Sequence, residues 1–317
     1  MKNNNKAKKL IKKILSKARQ IKRNITQKRD NTKAIFKVTK KMDNYISDFL
    51  DEKIERFTAI PKKPELIGEK IIWQYWHQEI NENTSKIVIK CLNSVKKHSN
   101  GYEIIMLTNE TVKDYVDLPD FVWEKLGNGK FDITKLSNLI RLSLLSAYGG
   151  VWIDATVYLS KPIEDSLLQK DFFAFQRSEL PPSDANIYKR LNSAYFSWNP
   201  KFQIRLLTSF MIAKPNNKIV NDILSILLEY WRRESLVEHY FFFQICFNRM
   251  MHNSEWKSLN CELSGDTDCH KFQTVISDKF DLRMYEEIAA KCSVHKLTYF
   301  KQENTNGTFA DFFLRVD

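Results

Sequence analysis

The sequence predicts an α/β fold built on an open, mainly parallel sheet, and three observations predict it. From residue 70 onward, short apolar runs alternate with segments of helical period. A long helical segment ends on Gly149-Gly150, and the apolar run that follows closes on an acid, Asp154. Alternation of this kind implies βαβ units, whose ligand site lies beyond the carboxyl ends of the strands.

The elements follow in order. Leu10, Ile11, Ile14, Leu15, Ala18, Ile21 and Ile25 recur at three- and four-residue steps among Lys and Arg, which makes a basic amphipathic helix. A second helical segment, about 43–57, stops before Pro61 and Pro64, read as a linker. Residues 1–65 thus form a basic helical N-terminal region and 66–317 the α/β domain. Residues 70–75 read as a buried strand, 83–98 as a helix, 102–107 as a second strand and 109–116 as a helix opened by an Asx cap. A long helix over 132–148 ends on the glycine pair, and 151–153 form the third strand. Residues 178–198, rich in Pro, Ser, Asn and Tyr, read as a long irregular loop. A strand over 208–214 and a helix over 215–231, capped by Asn216 or Asn217, follow.

Charge divides the chain. Its 317 residues carry 50 Lys plus Arg against 38 Asp plus Glu, a net +12. Residues 1–41 alone hold 16 basic side chains and one acid, Asp30, so the arm is +15 and the remaining 276 residues are net −3. With 43% apolar residues, global disorder is excluded. Charges interrupt every apolar run short of the roughly 18 residues a spanning helix needs, and Lys12, Lys13, Lys17 and Arg19 break any secretory core. A cytoplasmic protein is expected. Five dispersed cysteines without a CxxC pair argue against a disulfide framework and a structural zinc site. The arm could lie on an anionic membrane surface, pack as a helix on a partner, or bind nucleic acid. Its single aromatic, Phe36, and the slightly acidic body argue against nucleic acid.

The chemistry gathers around the third strand. An acid leaving a buried strand at the carboxyl edge suits Mg²⁺ or Mn²⁺ holding a diphosphate, because phosphate and water supply most of the oxygens. Asp154 and Thr156, two apart, project to the same side; Asp154 would bind the metal with Thr156 assisting, or it merely caps a turn. Arg141, on an otherwise apolar helix, either pairs with Asp154 or grips phosphate or sugar oxygens. Asn138, one turn earlier on the same face, could bond a sugar hydroxyl.

Taken together, Ile71 to Trp76, Ser137 to Arg141, Tyr148 to Thr156 and Lys296 to Tyr299 resemble the bacterial capsular polysaccharide synthesis glycosyltransferases over about residues 66–314. These are related to the Asp-x-Asp sugar-binding glycosyltransferases and, distantly, to the glucosylating clostridial toxins. The resemblance implies a GT-A fold, a Rossmann-like nucleotide-sugar-binding sheet, with Mn²⁺ or Mg²⁺ and a UDP-hexose donor. It puts Asp154 at the metal, Arg141 at the sugar or its phosphate, and Asn138 where relatives commonly use Asp on the sugar hydroxyls. Thr156 stands where the wider group has its second Asp. Trp73, Tyr75 and Trp76 follow the first strand, where relatives stack an aromatic on uracil, with Trp73 or Trp76 the expected stack. Lys296 matches residues that close over the departing diphosphate. Glu238 to Gln244 resembles a further family segment, with His239 or Gln244 a possible acceptor contact.

The activity implied is transfer of a hexose, galactose or glucose, with retention, to a hydroxyl of a polyprenyl-diphosphate-linked oligosaccharide in capsule repeat-unit synthesis. Residues 1–41 would then hold the enzyme on the inner face of the cell membrane. The competing readings are a nucleotide-dependent sugar-phosphate or nucleotidyl transferase, and a non-catalytic membrane-associated binding protein.

Overall fold

The computed structural model describes residues 31–199, 204–259, 264–298 and 305–315. Its main sheet has five strands in the order β2-β1-β3-β6-β5: β1 Ile71–Tyr75, β2 Glu103–Leu107, β3 Gly150–Ile153, β5 Phe172–Gln176 and β6 Leu206–Ala213. β1 runs parallel to both β2 and β3, whereas β6 is antiparallel to its neighbours β3 and β5. Four of the five strands therefore share one direction. A separate two-stranded ribbon pairs β4 (Val157–Leu159) antiparallel with β7 (Val294–Lys296).

The helices are α1 over 31–50, α2 Lys86–Lys97, α3 Asp120–Gly127, α4 Ile133–Tyr148, α5 Asp165–Leu168, α6 Ala185–Leu191 and α7 Lys218–Arg233. α8 Phe242–Met251, α9 Ser254–Lys257, α10 Lys271–Thr274, α11 Leu282–Lys291 and α12 Phe309–Leu314 complete them. β1, α2 and β2 make one βαβ unit, and the chain then crosses through α4 to β3 on the other side of β1. Strands are thus added first on one side of β1 and then on the other, which makes the gap between β1 and β3 a topological switch point, where open α/β sheets form their ligand crevice.

Strand parity sorts the core. Ile71, Trp73, Tyr75, Trp152, Ala174 and Met211 join the cluster of α1, α4, α7 and α8, whereas Ile72, Val151, Ile153, Phe173 and Ile212 join β4 and β7 on the opposite face. With both faces covered, the strands read as apolar runs without alternation. The turn from α4 into β3 requires its glycines. Gly149 has φ 73° and Gly150 φ 93°, and a Cβ on Gly150 would lie 2.6 Å from the Ile71 carbonyl oxygen.

Several expectations shift. The segment 109–116 forms only a 3₁₀ turn, Thr111–Asp114, held by Thr108, whose hydroxyl accepts from the amides of Glu110 and Thr111. Asn109 is not its cap and instead accepts the Tyr75 hydroxyl. Asn217, not Asn216, caps α7, accepting from Ile219 and Val220. The segment 178–198 contains α6 and is anchored by buried Arg177, which donates to Asp266 at 3.1 and 2.6 Å under the rings of Tyr195 and Phe196.

The basic helix expected over residues 10–25 lies outside the described residues. The last part of the arm does not. α1 sends Ile35, Val38, Met42, Tyr45, Ile46 and Phe49 into the main core cluster. Lys37 pairs with Glu238 at 3.0 Å, and Lys41 pairs with Glu234 at 2.5 Å and Glu238 at 2.6 Å. Those two cations face protein carboxylates, which corrects the reading of all of 1–41 as a membrane-facing arm. Among the described residues no helix is long and apolar enough to cross a membrane.

Candidate functional site

A cleft of about 320 Å³ opens at the carboxyl edge of β1 and β3. Tyr75, Trp76 and His77 form one wall, the first three turns of α4 another, and Asp154 to Thr156 with Lys296 to Thr298 the floor. Tyr240 and Gln244 reach in from the start of α8. The position follows from the topology, since β1 and β3 end side by side at the switch point.

Each polar residue has a local reason to be there. Asp132 caps α4 by accepting from the Lys135 amide at 3.1 Å, which starts the helix at the cleft rim. Thr134, Ser137, Asn138 and Arg141 then recur at the three- and four-residue steps that share one helix face, while Leu136, Leu139, Ile140 and Leu142 are buried. Arg141, only 2% exposed, donates from Nη1 to Asn138 Oδ1 at 2.6 Å and from Nη2 to Asp154 Oδ1 at 2.8 Å. Its guanidinium lies 4.8 Å from the Trp152 ring centroid, and Trp152 Nε1 donates to the same Asp154 oxygen at 2.7 Å. On the other side, the β4-β7 register sets Lys296 opposite Val157, so that Nζ donates to Asp154 Oδ2 at 3.1 Å and Thr156 Oγ1 at 2.7 Å.

These contacts fix the electrostatics. Burial alone would raise the Asp154 carboxyl, but the charges of Lys296 and Arg141 and the Trp152 N–H outweigh it and hold the group well below the usual carboxylate range. Asp154 is therefore held as a carboxylate, and the trio Arg141, Lys296 and Asp154 carries a formal net +1. Preorganised cations at a strand edge suit a diphosphate.

They do not suit a divalent cation at Asp154. Oδ1 already receives two N–H donors, and Oδ2 and the Thr156 hydroxyl both face one ammonium. A metal bridging Asp154 and Thr156 would have to displace the Lys296 ammonium, and Thr156 offers it no charge. The expectation of Mn²⁺ or Mg²⁺ on Asp154 does not fit these residues.

Trp73 is corrected as well. It is fully buried, donates from Nε1 to the Gly149 carbonyl at 2.8 Å and packs against Tyr115 and Tyr148. It shares a sheet face with Tyr75 but sits two residues deeper in the strand, enclosed by these partners, and does not line the cleft where a base would stack. Trp76, half-buried one residue past β1, and Tyr75 line the cleft. His239 is also displaced from the site: its Nε2 meets Asn31 Oδ1 at 2.9 Å, and its Nδ1 accepts from the Phe241 amide at 3.1 Å. Gln244 does line the cleft, beside Tyr240, an aromatic 61% exposed that sequence reasoning passed over. Its signal was present as the polar-edged ring in an otherwise buried aromatic block.

The chain is 24% identical over 196 residues to the O-glycosyltransferase braB of Annulohypoxylon truncatum, a match covering 58% of this chain and 44% of that protein. The chain thus spans less than half the length of this curated relative. A glycosyltransferase involved in the glycosylation of the major capsid of PBCV-1 aligns over 73% of this chain and 95% of its own, at 12% identity and TM-score 0.36. The PaToxG glycosyltransferase aligns over 84% and 98%, at 14% identity and TM-score 0.37. The family model described as capsular polysaccharide synthesis protein matches residues 8–314, nearly the whole sequence, and the chain belongs to that family.

Proposed function

We propose that the protein is a glycosyltransferase with a GT-A-type donor site, moving a hexose from a UDP-sugar to a hydroxyl of a lipid-linked oligosaccharide during capsule synthesis. The observation that carries this reading is the convergence of Arg141, Lys296 and Asp154 at the β1/β3 switch point, within one cleft with Trp76. The family and the activity printed for the relative in Annulohypoxylon truncatum support it.

In this reading Trp76 stacks on the base, an interaction worth about 1–3 kcal/mol, and Tyr75 borders it. Arg141 and Lys296 hold the diphosphate, and Asp154 holds those two cations in place. Asn138, whose Oδ1 accepts from Arg141, keeps its amide N–H₂ for a sugar hydroxyl. The bond from the anomeric carbon to the β-phosphate oxygen breaks as the acceptor oxygen bonds to that carbon from the same face. The acceptor's proton passes to the departing phosphate, so the route needs no protein nucleophile, and it retains configuration to give an α-linked galactose or glucose. Charge growing on the β-phosphate meets two fixed cations, which favours the transition state over the ground state.

Exposed Tyr240 and buried Gln244, which line the same cleft, would border the acceptor. The basic stretch before residue 31 would keep the enzyme at anionic headgroups on the cytoplasmic leaflet, near a polyprenyl-diphosphate acceptor. The reading is tested by incubating the protein with UDP-hexoses and lipid-linked acceptor and resolving the products. A glycosyltransferase releases UDP with a longer oligosaccharide, whereas release of UMP with a sugar-phosphate adduct would overturn it.

A further inference from the structure

The two oxygens that sequence reasoning gave to a cation face a side chain that is itself a cation. Lys296 Nζ lies 3.1 Å from Asp154 Oδ2 and 2.7 Å from Thr156 Oγ1, with its side chain 19% exposed and directed into the cleft. The ribbon that delivers it is fixed by backbone as well as by side chain: β4 pairs with β7, and the Leu297 amide donates to the Thr156 carbonyl at 2.9 Å. Position 156 supplies a neutral hydroxyl, which an ammonium can use as an acceptor but which gives a divalent ion no charge. Arg141, 2% exposed, adds a second fixed positive charge on the far side of the same carboxylate. A further double charge in this place would be repelled by both neighbours and attracted by one carboxylate alone.

Building on the UDP-sugar reading above, we propose that the Lys296 ammonium takes the place of the divalent cation, so that the donor's diphosphate binds without metal. Arg141 and Lys296 then supply +2 toward the diphosphate, and Asp154 acts as the positioning residue that keeps them apart and aimed. Thr156 completes the ammonium's second hydrogen bond and leaves one N–H free for a phosphate oxygen.

The test is calorimetric titration of the full chain with UDP, GDP, ADP, dTDP and inorganic pyrophosphate, first in EDTA and then in Mn²⁺. At least one nucleoside diphosphate is expected to bind with a Kd that agrees within about twofold between the two buffers. Lys296→Ala should weaken that binding in EDTA by about tenfold or more, and Lys296→Arg should restore most of it. The double variant Lys296→Ala with Thr156→Asp removes the ammonium and adds a carboxylate, and its binding should become dependent on Mn²⁺. Wild-type binding that vanishes in EDTA and returns with Mn²⁺ overturns the proposal while leaving the donor reading intact, and it requires no variant to fold. An unchanged Kd in a folded Lys296→Ala protein also overturns it. Absence of binding by every nucleoside diphosphate in both buffers overturns the donor reading and this proposal together.

Discussion

Trp73 and Trp76 stand three residues apart, and the structure assigns them opposite consequences when changed. Trp73 is enclosed by Tyr115 and Tyr148 at centroid distances of 5.7 and 5.3 Å, and its Nε1–H is the partner of the Gly149 carbonyl. Trp73→Phe keeps an aromatic ring but removes that donor, at about 0.5–1.5 kcal/mol for the hydrogen bond. The lost ring volume adds a cavity cost of about 24 cal/mol per Å³ left unfilled, so a total of about 1–3 kcal/mol is expected. Because the cost falls on the α4–β3 turn and not on the cleft surface, UDP affinity should stay within about twofold. Trp76→Ala removes a half-buried ring from the cleft wall, and losing about 1–3 kcal/mol of stacking raises the Kd about 5- to 150-fold. Urea unfolding and UDP titration of both variants check this, with the Trp73→Phe loss appearing as a lower midpoint at unchanged slope. A larger rise in UDP Kd for Trp73→Phe than for Trp76→Ala would refute the assignment of Trp73 to the core and Trp76 to the cleft.

Tyr240→Ala should raise the acceptor KM severalfold with a smaller effect on hydrolysis of the donor by water, because this exposed ring lines the cleft and is not among the hydrogen-bond partners of Asp154; product assays at varied acceptor concentration read the split. A chain starting at residue 31 should fold and bind nucleoside diphosphate but lose sedimentation with anionic vesicles. One starting at residue 51 also loses Ile35, Val38, Met42, Tyr45, Ile46 and Phe49 from the core, about 1.5–3 kcal/mol each, which rivals a whole domain's stability and should abolish soluble expression. His295 is buried beside Phe272, and burial pushes its pKa down to about 3, so the unfolded chain, titrating near 6.5, binds the extra proton. Its contribution is complete above pH 6.5 and declines as pH falls below it, by about 1.4 kcal/mol per unit, with His239 and His270 adding in the same direction. Denaturant midpoints between pH 7 and 4.5 should show this slope, and His295→Gln should make it shallower by one group's share.

Much of the sheet was legible because its signals are local. β1, α2, β2, α4, β3, β6 and α7 all lie where periodicity and punctuation place them, and Gly149-Gly150 marks the turn it builds. The grouping of Asn138, Arg141 and Asp154 was also readable, since a helix face, a glycine turn and a four-residue strand fix their relative places. What escaped depended on distant partners. Trp73 could not be separated from Trp76 because its enclosure depends on Tyr115 and Tyr148, partners more than 40 residues further along the chain. Lys296 contacts Asp154 and Thr156 across a separation of about 140 residues, through a ribbon whose strands are only three residues long. The segment 178–198 looked irregular because its anchor, the Arg177–Asp266 pair, joins residues 89 apart. α1 read as part of a uniform basic arm because nothing in residues 31–41 announces Glu234 and Glu238.

The central claim is that the Arg141, Asp154 and Lys296 cluster transfers a sugar from a nucleotide donor. Product-resolved turnover with UDP-hexoses and a lipid-linked oligosaccharide measures it most directly, comparing wild type with Asp154→Ala. Wild type is expected to release UDP in step with an oligosaccharide one hexose longer, and the variant to lose at least about 100-fold in kcat/KM, some 2.7 kcal/mol of transition-state stabilisation. UMP as the nucleotide product, or equal turnover by wild type and Asp154→Ala, would contradict it.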